Sequence, residues 1–198
     1  MKKLISTALL LFGAFLNGTY ALDLTPHEVS LTNDGPPVKR YFFQDLGKRM
    51  SFRIDNKMTV SGASDSAVFQ FGDIKTAGMT LSKSRMNPEV PFAEKNLESY
   101  RAAARAFLPP DAKNAQLEEE KPNAIAINGW TSQQFIFTYN LFGFPYRRSV
   151  TFLNYGEKEQ IVFDVSASTP DYEKTYARGY RVLNSLSDLS ADNKSGPT

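Results

Sequence analysis

The chain has 198 residues, 41% apolar and 13% aromatic, which is enough to build a core and excludes disorder over most of its length. With no Cys and only one His, His27, it can form no disulfide, thiolate metal site, thiol nucleophile or multi-imidazole centre. The formal charge of +2 rests on Lys2 and Lys3; without them the 23 basic residues fall to parity with the 21 acidic ones, so no nucleic-acid partner is expected.

Lys2 and Lys3 precede an apolar run from Leu4 to Leu16, and Thr19-Tyr20-Ala21 places small residues at the spacing a signal peptidase uses. Crossing a bilayer takes about 20 apolar residues, and this run is shorter and ends at Asn17, so residues 1–21 read as a signal peptide cleaved before Leu22. The expected location is therefore periplasmic or secreted. Residues 22–37 carry Pro26, Asp34-Gly35 and Pro36-Pro37 with little periodicity and read as an extended N-terminal arm.

Tyr41 to Phe43 and Met50 to Ile54 predict an opening pair of strands. Val68, Phe69 and Phe71, then Met79 and Leu81, continue the strand pattern, with Gly62-Ala63-Ser64, Gly72-Asp73 and Ala77-Gly78 as turns. Leu97, Tyr100, Ala104, Phe107 and Leu108 recur at helical spacing between Pro91, suited to a first helical position, and the terminating Pro109-Pro110. Ala102 to Ala104 would let this helix approach a sheet closely.

A polar strand is expected from Ala115 to Glu120, and another from Ala124 to Ile127, ahead of an Asn128-Gly129 turn and the single Trp130. Phe135, Phe137, Tyr139 and Leu141 share one parity, as do Val150 and Phe152, and Ile161, Phe163 and Val165 follow; together they predict a three-stranded meander. Thr169, Pro170, Asp171 and Glu173 suit a helix start, with Thr169 as the cap, and Tyr172, Tyr176, Tyr180, Leu183 and Leu186 form its apolar stripe. Residues 190–198 are too polar to order themselves and read as a tail. This order of elements predicts an α+β fold, a twisted and mainly antiparallel sheet flanked by helices.

Most candidate sites have a simpler structural reading. His27 with Glu28 and Asp23 is short of a metal site's ligand count and reads as a solvated arm residue. Leu117-Glu118-Glu119-Glu120 has no spaced acidic loop or Gly turn for Ca²⁺ and reads as a solvated strand or turn. Ser82-Lys83-Ser84-Arg85 has the composition of a Ser–Lys dyad, which is also that of an exposed strand end, and no G-x-S-x-G elbow or P-loop occurs. The Tyr172, Tyr176, Tyr180 stripe reads as core.

The informative segment is Leu141 to Arg148. Hairpin tips are usually polar, but this one carries Phe142, Phe144, Tyr146, Arg147 and Arg148, residue types enriched in interface hot spots. Gly143 and Pro145 are expected to shape a turn that makes Phe142 and Phe144 project, with Arg147 and Arg148 on opposite faces and at least one of them exposed beside the rings.

The element order, Phe52-Arg53-Ile54, the mid-chain helix, Gly129-Trp130, the meander and Tyr180-Arg181-Val182-Leu183-Asn184-Ser185-Leu186 together resemble the PsbP-like superfamily over residues 38–189. That family includes photosystem-associated lumenal proteins, the Ran-binding release factor and exported bacterial proteins. The resemblance implies an α/β/α sandwich that acts by docking on larger partners, and it supplies no catalytic residues and no cofactor. The expected function is that of a noncatalytic exported binding or assembly-support protein. Its expected partner is an envelope-associated protein met through Phe142, Phe144, Tyr146, Arg147 and Arg148, with membrane-surface contact as an additional mode. The alternative is a carrier holding a small apolar ligand between helix and sheet with Tyr100, Phe107, Trp130, Phe137 and Tyr180. An enzyme of unrecognised type is a third class.

Overall fold

The computed structural model describes residues 22–31, 38–45, 48–86, 92–127, 129–155 and 159–188. The signal peptide, the tail and the positions of Pro91 and Asn128 lie outside them. Two antiparallel sheets form the frame. The smaller joins strands β1 (Leu22–Leu31), β2 (Val38–Asp45) and β3 (Lys48–Phe52) with the short closing strand β11 (Ser187–Asp188) in the order β1-β2-β3-β11. The larger contains β4 (Met58–Ala63), β5 (Ser66–Phe71), β6 (Gly78–Lys83), β7 (Lys113–Pro122), β8 (Ser132–Leu141), β9 (Phe144–Tyr155) and β10 (Glu159–Ser168). Its order, β4-β5-β6-β10-β9-β8-β7, places the predicted meander at the centre.

Alternation explains the outer strands: Ala67, Phe69 and Phe71 are buried while Val68 and Gln70 between them are exposed. The central strands break that rule, because consecutive residues such as Phe152-Leu153 and Ile161-Val162-Phe163 are all buried. Both faces of β9 and β10 therefore need cover. On one face Leu153, Ile161, Phe163 and Val165 pack with Phe69, Met79 and Leu81, with helix α2 (Tyr172–Asn184) and with Leu24, Phe43 and Phe52 of the small sheet. On the other, Val150, Phe152 and Val162 join Phe135 and Phe137 beneath Tyr100 and Ala104 of helix α1 (Leu97–Arg105). The result is the predicted α+β architecture, a mainly antiparallel sheet with a helix on each side.

Several local expectations are corrected. The first ten residues of the segment read as an arm form strand β1, with Leu22 and Leu24 buried and the Leu24 N–H donating to the Ser64 carbonyl at 3.1 Å. Pro26 is accommodated where the β1–β2 register shifts, between Asp23 and His27. Gly62 and Ala63 belong to β4, a strand the apolar pattern did not disclose because most of it is exposed. Ala124 to Ile127 is not a strand. The Ser132 hydroxyl donates to the Ile125 carbonyl at 3.1 Å and accepts from its N–H at 3.0 Å, replacing ladder bonds while Ile125 and Ile127 enter the core. Thr169 does not cap α2; a single 3-10 turn, Thr169–Asp171, leads into the helix, and the Asp171 carboxylate accepts from the hydroxyls of Ser168 and Thr76.

The buried face of α2 is also rotated from the expected tyrosine stripe. It comprises Tyr172, Thr175, Arg178, Gly179, Val182 and Leu183, with Tyr176 and Tyr180 half-buried at its margins. Gly179 sets this line: a Cβ there would stand 3.0 Å from the Met79 sulfur and 3.1 Å from the Phe163 ring, so the helix lies closest to the sheet where it has no side chain. Arg178 is tolerated on the same face because its guanidinium has partners. It donates twice to Asp55, at 2.8 and 2.8 Å, and once to Asp73, at 2.6 Å, and it covers the Phe71 ring. Helix α2 is thereby locked to the chain segments just before β4 and just after β5.

The Arg178 hydrogen bonds hold both carboxyls below their usual range, Asp73 at about 2. A folded-state value below the unfolded one gives stability that is full above about pH 4 and is lost as pH falls toward about 2. The Arg178→Met variant is therefore expected to melt below the parent at pH 5, with the gap narrowing steadily toward pH 2. Differential scanning calorimetry at both pH values checks this, and a gap that stays constant would contradict it.

Candidate functional site

The β8–β9 hairpin is paired without interruption from Ser132–Leu153 to Leu141–Phe144. Its neighbours stop short of the tip: β7 pairs no further than Asn140 with Lys113, and β10 no further than Tyr146 with Ser168. Leu141 to Phe144 therefore projects past the sheet on a ladder rigidified by the stacked Tyr139 and Tyr146 rings and a 3.0 Å hydrogen bond between the Tyr139 and Ser166 hydroxyls.

At the apex Phe142 and Phe144 are 81% and 66% exposed. The connection is a two-residue turn with positive φ at both centres, 51° at Phe142 and 87° at Gly143. Type I′ hairpins require this and favour Asn-Gly or Asp-Gly, so Gly143 fits and Phe142 does not. A bulky aromatic at positive φ is a backbone outlier, and its exposure adds a solvation cost. The residue is thus unfavourable for both its turn and its solvent, which points to selection for something outside the folding of the hairpin. Pro145 lies within β9, opposite Asn140, and does not shape the turn.

The arginines are placed differently from expectation. They do lie on opposite faces, but neither is an exposed partner of the rings. The Arg147 side chain is 20% exposed; it donates to Glu118 at 2.9 Å and Glu173 at 2.7 Å, reaches Glu119, and lies over the Tyr172 ring. Arg148 forms a bidentate pair with Asp164 at 2.6 and 2.7 Å. Burial pushes the Asp164 carboxyl up and Arg148 opposes that shift, the signature of an internal ion pair. Sequence reasoning missed these partners because Glu118, Glu173 and Asp164 are distant from the arginines along the chain.

The other candidates are dispersed. His27 stacks on Phe42 at 5.1 Å, while Glu28 pairs with Lys39 at 2.8 Å and Asp23 accepts from the Thr25 N–H. Glu120 is bound by Arg101, Glu118 by Arg147, and Glu119 by Lys121 with Arg147 farther off at 3.5 Å, so the acidic run serves as counter-ions to neighbouring cations. In Ser82-Lys83-Ser84-Arg85 the Ser84 hydroxyl donates to Gln160 at 2.7 Å and Lys83 lies 3.5 Å from Asp65. The five residues proposed to hold an apolar ligand are split by the large sheet. Tyr100, Phe107 and Phe137 belong to the α1 side, and Trp130 and Tyr180 to the α2 side, so no single ligand meets them all.

No family model matches the chain, and no curated protein matches it. Among solved structures it is similar to a Pseudomonas aeruginosa protein of unknown function, PA94, with 13% identity, 81% of this chain and 96% of that one covered, and a TM-score of 0.46. It is also similar to LpqN of Mycobacterium tuberculosis, described as involved in cell envelope biogenesis, with 9% identity, 82% and 91% covered, and a TM-score of 0.40.

Relieving the strain at the tip should stabilise the protein. Phe142→Asn is expected to gain about 1 kcal/mol, the lower end of what a strained backbone conformation costs, and to raise Tm by about 2–4 °C. Thermal unfolding checks this; a lower Tm would show that the Phe142 ring contributes packing. A third similar solved structure is cyanobacterial PsbP from Synechocystis, with 17% identity, 90% of this chain and 99% of that one covered, and a TM-score of 0.40. The solved structures similar to this chain thus include a PsbP.

Proposed function

We propose that this is an exported, noncatalytic docking module that presents the Phe142–Phe144 tip to a pocket on an envelope-associated protein. The carrying observation is the pair of exposed rings on a projecting, fully paired hairpin whose apex residue is unfavourable for its own turn. Export rests on the Lys2 to Ala21 segment, and no helix among the described residues is long and apolar enough to cross a membrane.

A protein pocket is favoured over a lipid surface by the charges around the hairpin. Interfacial membrane anchors combine aromatic rings with free cations. Here both arginines of the hairpin are paired, and the groups gathered round Arg147 are carboxylates, among them the largely exposed Glu173. These carboxylates offset Arg147, Lys121 and the exposed Lys113 opposite Asn140, so no net cationic patch draws the tip to an anionic bilayer. Burying a Phe side chain contributes about 1.5–3 kcal/mol, so two of them can dominate a modest interface.

The test is the double change Phe142→Ser with Phe144→Ser, compared with the parent in thermal unfolding, envelope-protein capture by photocrosslinking at the exposed position 145, and flotation with anionic vesicles. Unchanged or higher Tm with loss of the crosslinked protein supports the proposal. Retention of the same crosslinked protein, a Tm lower by several degrees, or flotation of the parent that the variant loses would each overturn it.

A further inference from the structure

On the opposite side of the β8–β9–β10 meander from α2, α1 is only nine residues long and leaves part of the sheet uncovered. Between its C-terminal end and the β5–β6 hairpin lies a groove of about 680 Å³, within the range of about 300–1,000 Å³ typical of small-molecule sites. We infer that this groove binds a single-chain amphiphile with an anionic headgroup.

The groove has two chemically distinct parts. Phe152 and Val162 of the central strands line it together with Ala103, Ala106 and Phe107 from the end of α1 and Met86. The alanines leave the space, since any larger side chain at 103 or 106 would extend into it. The remaining lining is polar: Asp65, Ser66, Ser82, Lys83, Ser84 and Arg85. Its one carboxylate, Asp65, lies 3.5 Å from Lys83, and the exposed Arg85 guanidinium takes no carboxylate partner among the described residues. Asp23 also acts on Lys83, so the cation left without a carboxylate at that end is Arg85. A guanidinium suits bidentate bonding to a carboxylate or phosphate, and the apolar lining suits an alkyl chain.

The run Ser82 to Arg85 has thus the composition of a dyad and the position of a headgroup subsite. Position along β9 separates it from the docking tip: Phe152 is eight residues from Phe144, roughly 25 Å of extended chain. The inference does not depend on the tip's function.

Isothermal titration of the full mature chain with dodecanoate, dodecyl phosphate, dodecanol and butanoate, below their aggregation concentrations, tests it. At least one of the two long-chain anions is expected to bind saturably, with dodecanol and butanoate weaker by about tenfold or more. The stronger anion identifies the headgroup. Ala103→Trp, which fills the groove, should weaken the anion by a similar factor, and Arg85→Glu should weaken the anion while leaving dodecanol unchanged. Ala106→Leu, at the exposed helix end, replaces Ala103→Trp if that variant melts lower than the parent. No saturable binding of either anion, equal binding of dodecanol, or parent-like binding by the groove-filling variant would overturn the inference.

Discussion

The constraint on which the structure depends is that β9 and β10 carry apolar side chains on both faces. Phe152 faces one way and Leu153 the other; Val162 opposes Ile161 and Phe163. A sheet with two apolar faces is unstable in water until both are covered, and burial of its large side chains is the main favourable term in folding. The chain meets this with unequal covers. α2 and the small sheet close one face over most of its area, while among the described residues the short α1 closes the other only over the meander and leaves the β5–β6 flank open.

The second organising element is arginine. Arg178, Arg147, Arg148 and Arg101 each hold carboxylates from elements remote in sequence, so much of the apparent surface charge is internal fastening. Each pair fixes one contact: Arg178 joins α2 to the segments flanking the β4–β5 hairpin, Arg147 joins β9 to β7 and the start of α2, Arg101 joins α1 to β7. Such pairs add modest free energy where exposed, but a buried bidentate pair such as Arg148–Asp164 admits few alternative geometries and so contributes specificity. This is also why neither arginine of the hairpin stands free beside the rings of its tip.

Tip and groove illustrate two departures from what folding alone would choose. The tip places a bulky ring at positive φ and in water; the groove omits apolar side chains at Ala103 and Ala106, where larger ones would extend the α1-side core. A sequence under selection only for stability would place Asn at 142 and a branched aliphatic residue at 103. Both departures are local and lie on a rigid frame, the arrangement expected of sites grafted onto a stable scaffold.

The amino-acid sequence by itself determined the α+β class, the meander, both helices and the exposure of Phe142 and Phe144, because periodicity and turn chemistry are local properties read within one element. It did not reveal β1, whose Leu22 and Leu24 are buried because the core between the two sheets meets them, nor β4, whose exposed residues carry no apolar pattern. The rotation of α2 onto Gly179 was equally hidden, since a glycine has no hydrophobic signal and its value lies in the Met79 and Phe163 atoms it lets approach. The tertiary structure alone decided that Arg147 and Arg148 are fastened and that Ser82 to Arg85 borders a groove. Ion pairs and concavities are made by residues from separate elements, and their formation depends on how those elements pack.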